Sequence, residues 1–570
     1  MDQWQVREAA AAELGKGKLL TKPNGAPLDV ENGYIPLLIN LTFEDKAAKG
    51  LRKRRPGDKR EAAVYFTALE AVQDNRTLLL TGPSGAGKTT LAKHICFSFA
   101  TGSAYKSKPV IRNEDGEVHE EIWDGSTIVP YLVTIESLKD LHRFTEELPH
   151  SLQAWSERGP ARENQEIIYV LDSIEASGVG GLGLLSSVVD MIRASYGARL
   201  LVLGRQEELH NWILPSGLVR QQLLPLLQSQ RLQSISGFQD GLSPSLSSLG
   251  SGSAAALPAI FAMSLSCNSE GETNEGVLDT WIEAYIKSAG GLEELLMNAH
   301  DAFYGRYNGA LSSVVQQPFM SSRVFRDLLV AKHLASKPDA ALQVLGHDSV
   351  TAQPIVKSLL HRISNHPTRK SLIDSMLHAE SGLTSLRVAL LAADFVDVQE
   401  NTQVVSARSK LLEILMKGSL SVPERVMAGR ILSRLGDPRD LEALAVIPKG
   451  RSTHGSASHP NSAPPYELEL DEFRIGIFPV VNANYLKFIQ ETGRAWVSPD
   501  GNDAETQNAP ATDVTCGESL GKLGQEMWSS FQQNPNGSGH VEGTKLRHAQ
   551  QRSFTLGGPY GQRMHPIAKI

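Results

Sequence analysis

Nine consecutive residues have the types and the spacing of a phosphate-binding loop. The run Gly82-Pro83-Ser84-Gly85-Ala86-Gly87-Lys88-Thr89-Thr90 fits the pattern G-x-x-x-x-G-K-[ST]. Glycines let the backbone curl so that successive N–H groups point at phosphate oxygens, and a following helix adds its positive end. In such a loop Lys88 binds the β- and γ-phosphates, and the Thr89 hydroxyl ligates Mg²⁺. The run therefore predicts a nucleotide ligand, ATP or its guanine equivalent, together with Mg²⁺.

Two further polar side chains follow apolar runs that are typical of buried strands. Asp172 ends the run 167–171, and Arg205 follows the run 200–203. Ligands of open α/β sheets bind at the carboxyl ends of the strands. Asp172 is therefore predicted to contact Mg²⁺ through water, and the planar Arg205 guanidinium to sense a γ-phosphate. Glu175 is a candidate to orient or deprotonate the attacking water. The alternatives are an ordinary turn residue for Asp172 and an ordinary surface arginine after a strand for Arg205.

The elements that must position these residues indicate an α/β domain, with a parallel sheet and flanking helices. The residues directly before the loop, 77–80, predict a buried strand, and those after it, 91–100, predict a helix. Other predicted strands cover 34–43, 128–135, 166–171, 200–203 and 232–238, and other predicted helices cover 60–72 and 184–196. The P-loop domain is predicted to occupy residues 60–240, after an N-terminal extension of residues 1–59.

The rest of the chain is predicted to hold a helical region and a small C-terminal segment. Helical periodicity at 278–286, 324–334 and 385–396 places an all-α region at 254–449, with a winged-helix element and stacked, HEAT-like helical pairs. The remaining predicted parts are a Ser/Gly linker at 241–253, a Ser/Pro/His linker at 450–465, an incomplete α+β segment at 466–516 and a tail of low order at 517–570.

The composition limits the classes of partner. A chain of 570 residues is too long for one hydrophobic core, and its net charge of −7 argues against a general nucleic-acid-binding surface. The basic stretch 46–60 is predicted to be a solvated linker, with RNA, a membrane surface or an import receptor as alternative partners. The longest apolar stretch, 254–265, is too short to cross a bilayer, and residues 1–14 lack the apolar core of a secretory signal.

The cysteines indicate a reducing environment. Cys96, Cys267 and Cys516 lie far apart in sequence and offer neither a disulfide framework nor a zinc spacing. Together with the missing signal, this predicts a cytoplasmic or nuclear protein.

Several ordered motifs of residues 60–340 carry a family resemblance. They are the loop GPSGAGKTT, VPYLV at 129–133, DSIEA at 172–176, LGR at 203–205, SGF at 236–238, LDTW at 278–281 and the helical stretch 319–334. This set resembles the NACHT class of signal-transducing NTPases, within the STAND group. The resemblance implies an ATP-binding switch that rearranges its domains or self-associates. Ala176 stands where the class has a second acid, and Gly204 where it has Ser or Thr, which implies that binding is retained better than hydrolysis.

The C-terminal part has a second resemblance. Residues 424–439, 473–475, 478–488 and 508–515 resemble the lead-in and the opening of formylglycine-generating-enzyme (sulfatase-modifying factor) domains. Members of that family hold copper with a late cysteine pair, and only Cys516 lies in this region. The tail histidines His540, His548 and His565 are predicted to be solvated. The segment is thus predicted to be a truncated remnant or an interaction module. The alternatives to a switch are a metal-dependent oxidative enzyme controlled by the NTPase domain and a non-hydrolysing scaffold.

Overall fold

The computed structural model describes most of the chain up to residue 484. The described ranges are 3–23, 25–43, 63–106, 108–121, 123, 127–157, 165–209, 212–237, 254–267, 269, 273–287, 290–364, 367–379, 382–455, 464–481 and 484. They form two compact units, with residues up to 372 in the first and residues from 373 in the second. The predicted basic stretch, Ser/Gly linker and C-terminal tail lie outside these ranges, as do Cys516 and the three tail histidines.

The first unit is built around a five-stranded parallel sheet. From one edge of the sheet to the other, its strands are β11 Val219–Gln222, β5 Thr77–Gly82, β10 Ala198–Arg205, β9 Gln165–Asp172 and β8 Thr127–Thr134. Side chains of a strand alternate between the two faces of the sheet. Leu78 and Leu80 accordingly enter one core with helix Lys88–Ala100, and Leu79 enters another with helices Leu138–Ser156 and Leu182–Ala194. Both faces are covered, which confirms the predicted α/β fold of this region.

The other elements are short strand pairs and helices. The paired strands are β1 Lys18–Thr21 with β2 Pro27–Asp29, β3 Leu38–Thr42 with β4 Tyr65–Thr67, β6 Lys108–Ile111 with β7 Val118–Glu121, β12 Leu444–Ile447 with β15 Phe473–Gly476, and β13 Gly450–His454 with β14 Tyr466–Leu470. The helices are α1 Gln3–Glu13, α2 Val30–Gly33, α3 Ala68–Asp74, α4 Lys88–Ala100, α5 Leu138–Ser156, α6 Leu182–Ala194, α7 Gln206–Leu209, α8 Gln228–Gly237, α9 Pro258–Cys267, α10 Asn274–Ile282, α11 Leu292–Phe303, α12 Arg323–Leu334, α13 Ala341–His347, α14 Gln353–Arg362, α15 Thr368–Leu377, α16 Leu383–Asp394, α17 Asn401–Lys417 and α18 Val422–Leu435.

Two predicted elements differ from the structure. Within the predicted helix 60–72, residues 65–67 form strand β4, and the helix begins only after Thr67. The hydroxyl of Thr67 accepts a hydrogen bond from the Glu70 N–H, and the Glu70 carboxylate accepts one from the Thr67 N–H, so this capping box fixes the helix start. Residues 232–237 of the predicted strand 232–238 belong to helix α8, and the fifth strand of the sheet is instead Val219–Gln222.

Apart from the run 34–43, the remaining strands and helices of the α/β region lie where the sequence predicts them. The run 34–43 contains only the short strand β3, whereas the predicted strands at 128–135, 166–171 and 200–203 and the helix at 184–196 are confirmed. Between 254 and 443, the described residues form helices and turns without a strand, so the predicted winged-helix element has no β-hairpin wing there. None of the helices in the described ranges combines the length and the apolarity that a membrane span requires.

The N-terminal residues pack against the first unit. Trp4 is 1% exposed, and its ring meets that of Trp155 edge-on at 5.4 Å, while the Arg7 guanidinium lies 3.6 Å from the centre of the Tyr131 ring. The backbone N–H of Thr21 donates to Oε1 of Gln317 at 2.8 Å. The described residues up to 43 are therefore part of the same compact body as the sheet.

In the second unit, the described helices α16 to α18 pack side by side, and two strand pairs follow. Arg387 of α16 bonds Glu424 of α18 at 2.6 Å, and the carboxylate of Glu424 also accepts hydrogen bonds from Ser421, which caps α18. Strand β12 lies inside the region 254–449 that the sequence predicts to be all-α, and strand β13 lies inside the predicted linker 450–465, so both predictions are wrong at these residues.

Candidate nucleotide-binding site

The predicted phosphate loop connects strand β5 to helix α4. Gly85 and Gly87 both have a φ of +81°, in the left-handed region that glycine adopts without a Cβ clash. Gly87 is also the residue from which α4 begins. The first N–H groups of a helix have no intrahelical acceptor, so the start of α4 is available to bind phosphate oxygens.

The side chain of Lys88 is folded back onto its own loop. Its ammonium donates hydrogen bonds to the carbonyls of Gly82 and Pro83, at 2.7 and 2.8 Å. Burial lowers the pKa of Lys88 to about 8, and nearby carboxylates, that of Glu175 first, oppose this shift. The cation therefore has acceptors that compete with a phosphate, and it is less basic than an exposed lysine.

Asp172, the acid that the sequence predicts to act with the loop in binding Mg²⁺, lies beside the loop. The carboxylate is 2% exposed and accepts hydrogen bonds from the Thr89 hydroxyl and the Ser173 N–H. Burial raises the pKa of Asp172, and these donors together with Lys88 act against that rise. Ser173 has a φ of +65°, which is uncommon for a residue with a side chain and is found at functional turns. Hydroxyl and carboxylate oxygens are hard ligands, so Thr89 and Asp172 fit a magnesium ion.

Arg205 ends strand β10, between the loop strand and the strand of Asp172. Its Cα is paired with that of Gly82 in the register of β10 and β5. The Glu175 carboxylate accepts from the Arg205 N–H at 3.1 Å and meets Nε of the same residue at 3.2 Å. Burial raises the pKa of Glu175, and the Arg205 guanidinium acts in the opposite direction. Both oxygens of Glu175 therefore hold Arg205 in this arrangement.

The glycine before Arg205 is explained by its neighbours. A Cβ on Gly204 would overlap Cδ1 of Leu209 and would lie 2.9 Å from Cγ2 of Ile174 and 3.3 Å from the Glu175 carboxylate. The Ser or Thr that the resemblance places here would require the side chains of Leu209 and Ile174 to move. Ala176, at the position of the second acid, is exposed, whereas Glu175 is buried.

The sequence analysis missed two charged residues that join this site to the helical region. Glu208 accepts from Nη1 of Arg205 at 3.0 Å and also from Nη1 of Arg323, in the first turn of α12. Arg323 further donates to the carbonyl of Thr351 at 3.1 Å and lies 3.6 Å from the buried Asp327. The available signals were the acidic pair Glu207-Glu208, which starts two residues after Arg205, and an Arg and Asp four residues apart on a predicted helix.

Residues outside the α/β core contact the phosphate loop directly. The N–H of Ala259, in α9, donates to the Gly85 carbonyl at 3.0 Å. A Cβ on Gly85 would lie 2.7 Å from Val324 of α12, and one on Gly87 would lie 3.5 Å from both Leu37 and Pro258. The loop is thus enclosed by the N-terminal residues on one side and by helices α9 and α12 on another.

Known families match two segments of the chain. Residues 61–131 match the family described as novel STAND NTPase 3, and residues 435–521 match the sulfatase-modifying factor enzyme 1-like domain. No curated protein matches the sequence. The first match includes the phosphate loop and ends within β8. Both agree with the resemblances that the sequence motifs indicate.

Solved structures of remote similarity were also found. A signal transduction ATPase with numerous domains (STAND) protein with a tetratricopeptide repeat sensor from Pyrococcus horikoshii is 12% identical, covers 64% of this chain and 66% of its own, and has a TM-score of 0.26. PCH-2 of C. elegans is 14% identical, covers 38% and 61%, and has a TM-score of 0.22. The Aeropyrum pernix ORC1 protein in complex with DNA is 14% identical, covers 57% and 80%, and has a TM-score of 0.27. The chain thus spans less than two thirds of the first two, and the likeness is too remote to transfer a function.

Proposed function

We propose that this chain, which contains a P-loop NTPase region of the STAND class and a sulfatase-modifying-factor-like segment, is an ATP-binding regulatory switch. The observation that carries the proposal is the meeting of three elements at one sheet edge. The loop 82–90, Asp172 and Arg205 follow the carboxyl ends of the strands β5, β9 and β10, which are adjacent and parallel. This is the edge at which ligands bind in such sheets.

The chain's own residues have distinct tasks in this proposal. The glycine loop and the start of α4 bind the phosphates, and Lys88 exchanges its two loop carbonyls for phosphate oxygens. Thr89 and Asp172 hold Mg²⁺, which neutralises phosphate charge when it is bound. Arg205 senses a γ-phosphate with its planar guanidinium.

The surroundings of the loop support a switch. Helices α9 and α12 contact Gly85, so a ligand in the loop acts on the helices that enclose it. A ligand shifts a conformational equilibrium only when it binds the two states with different affinity. Contacts between the loop and α12 supply such a difference, and self-association of the active form is part of this proposal through the STAND class.

Hydrolysis is proposed to be slow. Glu175, the candidate to activate water, uses both carboxylate oxygens to hold Arg205. While the Arg205 guanidinium is paired with it, Glu175 is a weaker base toward water than it would be alone, and no acid at position 176 replaces it. The site therefore retains ATP better than it consumes it.

The test is calorimetric titration of the full chain with ATP and ADP, each with and without Mg²⁺. Lys88→Ala is expected to abolish binding, and Asp172→Asn is expected to remove the gain in affinity that Mg²⁺ gives. An ATP affinity that is unchanged in Lys88→Ala would refute the proposal. Light scattering after size exclusion with ATP, ADP or no nucleotide then separates a switch from a scaffold, because only a switch changes mass or shape with the nucleotide.

A further inference from the structure

The carboxylate of Glu208 joins two arginines that come from distant parts of the first unit. One oxygen, Oε1, accepts from Nη1 of Arg205 at 3.0 Å and from Nη1 of Arg323. The side chains of Glu208, Arg205 and Arg323 are 25%, 32% and 13% exposed. Because they are partly buried, solvent and salt screen these ion pairs less than they screen pairs on an open surface.

The two arginines compete for this oxygen. Arg205 has a second carboxylate, that of Glu175, and Arg323 has the Thr351 carbonyl and Asp327 as further acceptors. A change in either guanidinium therefore alters how strongly Glu208 holds the other. Such sharing couples the tip of β10 to the first turn of α12.

We propose that Glu208 sets how strongly Arg205 responds to a γ-phosphate, and that Arg323 tunes this response by sharing the same carboxylate. The proposal rests on the nucleotide function proposed above and adds the residues that regulate its site. Glu208 and Arg323 act through Arg205 and are positioning residues. Coupling of binding free energies is reciprocal, so the position of α12 influences the choice of nucleotide, and the bound nucleotide influences the docking of α12.

The two residues act in opposite directions. In Glu208→Gln, a neutral amide replaces one of the two carboxylates that restrain Arg205, so the guanidinium is freer to bind the γ-phosphate. In Arg323→Gln, Glu208 no longer shares its oxygen with Arg323 and holds Arg205 more tightly. Charged hydrogen bonds are stronger than neutral ones, which gives each change a measurable effect.

The experiment measures the dissociation constants of MgATP and MgADP for the full chain. Their ratio isolates the response to the γ-phosphate, since contacts common to both nucleotides cancel. We expect Glu208→Gln to raise the preference for ATP, and Arg323→Gln to lower it, each by about threefold to tenfold. The double variant should match Glu208→Gln to within about twofold, because Arg323 acts only through Glu208.

A matched control lies on the same helix. Lys332 of α12 bonds Asp279 of α10 at 2.9 Å, so Lys332→Gln removes a cation of this helix whose partner is neither Glu208 nor Asp327, and it is expected to leave the ratio unchanged. A purely structural role of Glu208 would change both affinities together and would leave the ratio at the parent value. If Arg323→Gln does not fold, Glu208→Gln and Arg323→Lys decide the question. Arg323→Lys keeps the charge, so its ratio should stay near that of the parent.

The possible failures are distinguishable. If all variants bind both nucleotides and have the same ratio of the MgATP and MgADP dissociation constants as the parent, the role of Glu208 is overturned and the proposed nucleotide function stands. Failure of the parent chain to bind either nucleotide overturns the proposed function, and this inference with it. Changes of the same sign in Glu208→Gln and Arg323→Gln would also overturn the inference, since competition requires opposite signs.

Discussion

Raising the pH is expected to weaken nucleotide binding through the deprotonation of one group, the Lys88 ammonium. Burial lowers the pKa of this group to about 8, from an ordinary 10.5. The protonated fraction then falls from about three quarters at pH ~7.5 to about one tenth at pH ~9. If only the ammonium binds phosphate, the dissociation constant of MgADP rises about eightfold over this range. MgADP is the suitable probe, because its phosphates are already ionised throughout.

Calorimetric titration at the two pH values tests this expectation. Lys88→Arg is the matched control, because a guanidinium keeps its charge at both values and its affinity, though different, should not change with pH. A parent protein whose dissociation constant changes by less than about twofold would refute the reasoning, since its Lys88 would then have the pKa of an exposed lysine.

The same group gives an independent check through stability. Because the folded pKa lies below 10.5, the unfolded chain binds more protons than the folded chain between pH ~8 and ~10.5. The contribution of Lys88 to the free energy of unfolding therefore rises with pH across this window, by about 3 kcal/mol in total. Urea denaturation compares the free energy of unfolding of the parent with that of Lys88→Met. Any stability advantage that the variant has at pH ~7 should shrink by this amount at pH ~10.5. A constant difference would contradict the shift.

Two further predictions concern stability and are checked by urea denaturation. Gly204→Ala should destabilise the protein by about 1–3 kcal/mol, because its Cβ overlaps a neighbouring side chain, whereas Gly183→Ala, in a helix and with open space around it, should be neutral or stabilising; equal effects would contradict the packing argument. Arg112→Met should destabilise by about 3–5 kcal/mol, because it leaves the carboxylate of Glu70, now bonded at 2.5 and 2.6 Å, without its buried cation. Replacing Lys16, whose ion pair with Glu13 is exposed, should not change the free energy of unfolding measurably. A similar loss of stability in the Arg112 and Lys16 variants would refute the burial argument.

The sequence predicted the parts of the site that are local in the chain. The loop, Asp172 and Arg205 each follow an apolar run that forms a strand, and parallel strands bring their carboxyl ends together without further information. The Glu208–Arg323 contact could not be predicted in this way, since the two residues are 115 positions apart and meet only through the docking of α12.

The errors in secondary structure have different physical causes. The helix predicted at 60–72 overlooked a readable signal, since Thr67 and Glu70 have the spacing of a capping box. In the predicted strand 232–238 the apolar residues Leu232, Ile235 and Phe238 are three positions apart, which is the spacing of a helix and not of a strand. In α8 the side chain of Gln230 instead accepts from the Leu227 N–H, near the start of the helix.

The contact between Thr21 and Gln317 has a consequence for how this protein is made. The two residues are 296 positions apart, and the N-terminal strand β3 likewise meets Leu223 through an isolated bridge at Ile39. During synthesis this N-terminal segment leaves the ribosome long before residues 223 and 317 exist, with Trp4 and other apolar side chains still uncovered. Domains with such distant contacts fold slowly and are prone to aggregate before the residues that complete these contacts have been synthesised. The N-terminal segment therefore makes the first unit a body that is completed only near the end of its own translation.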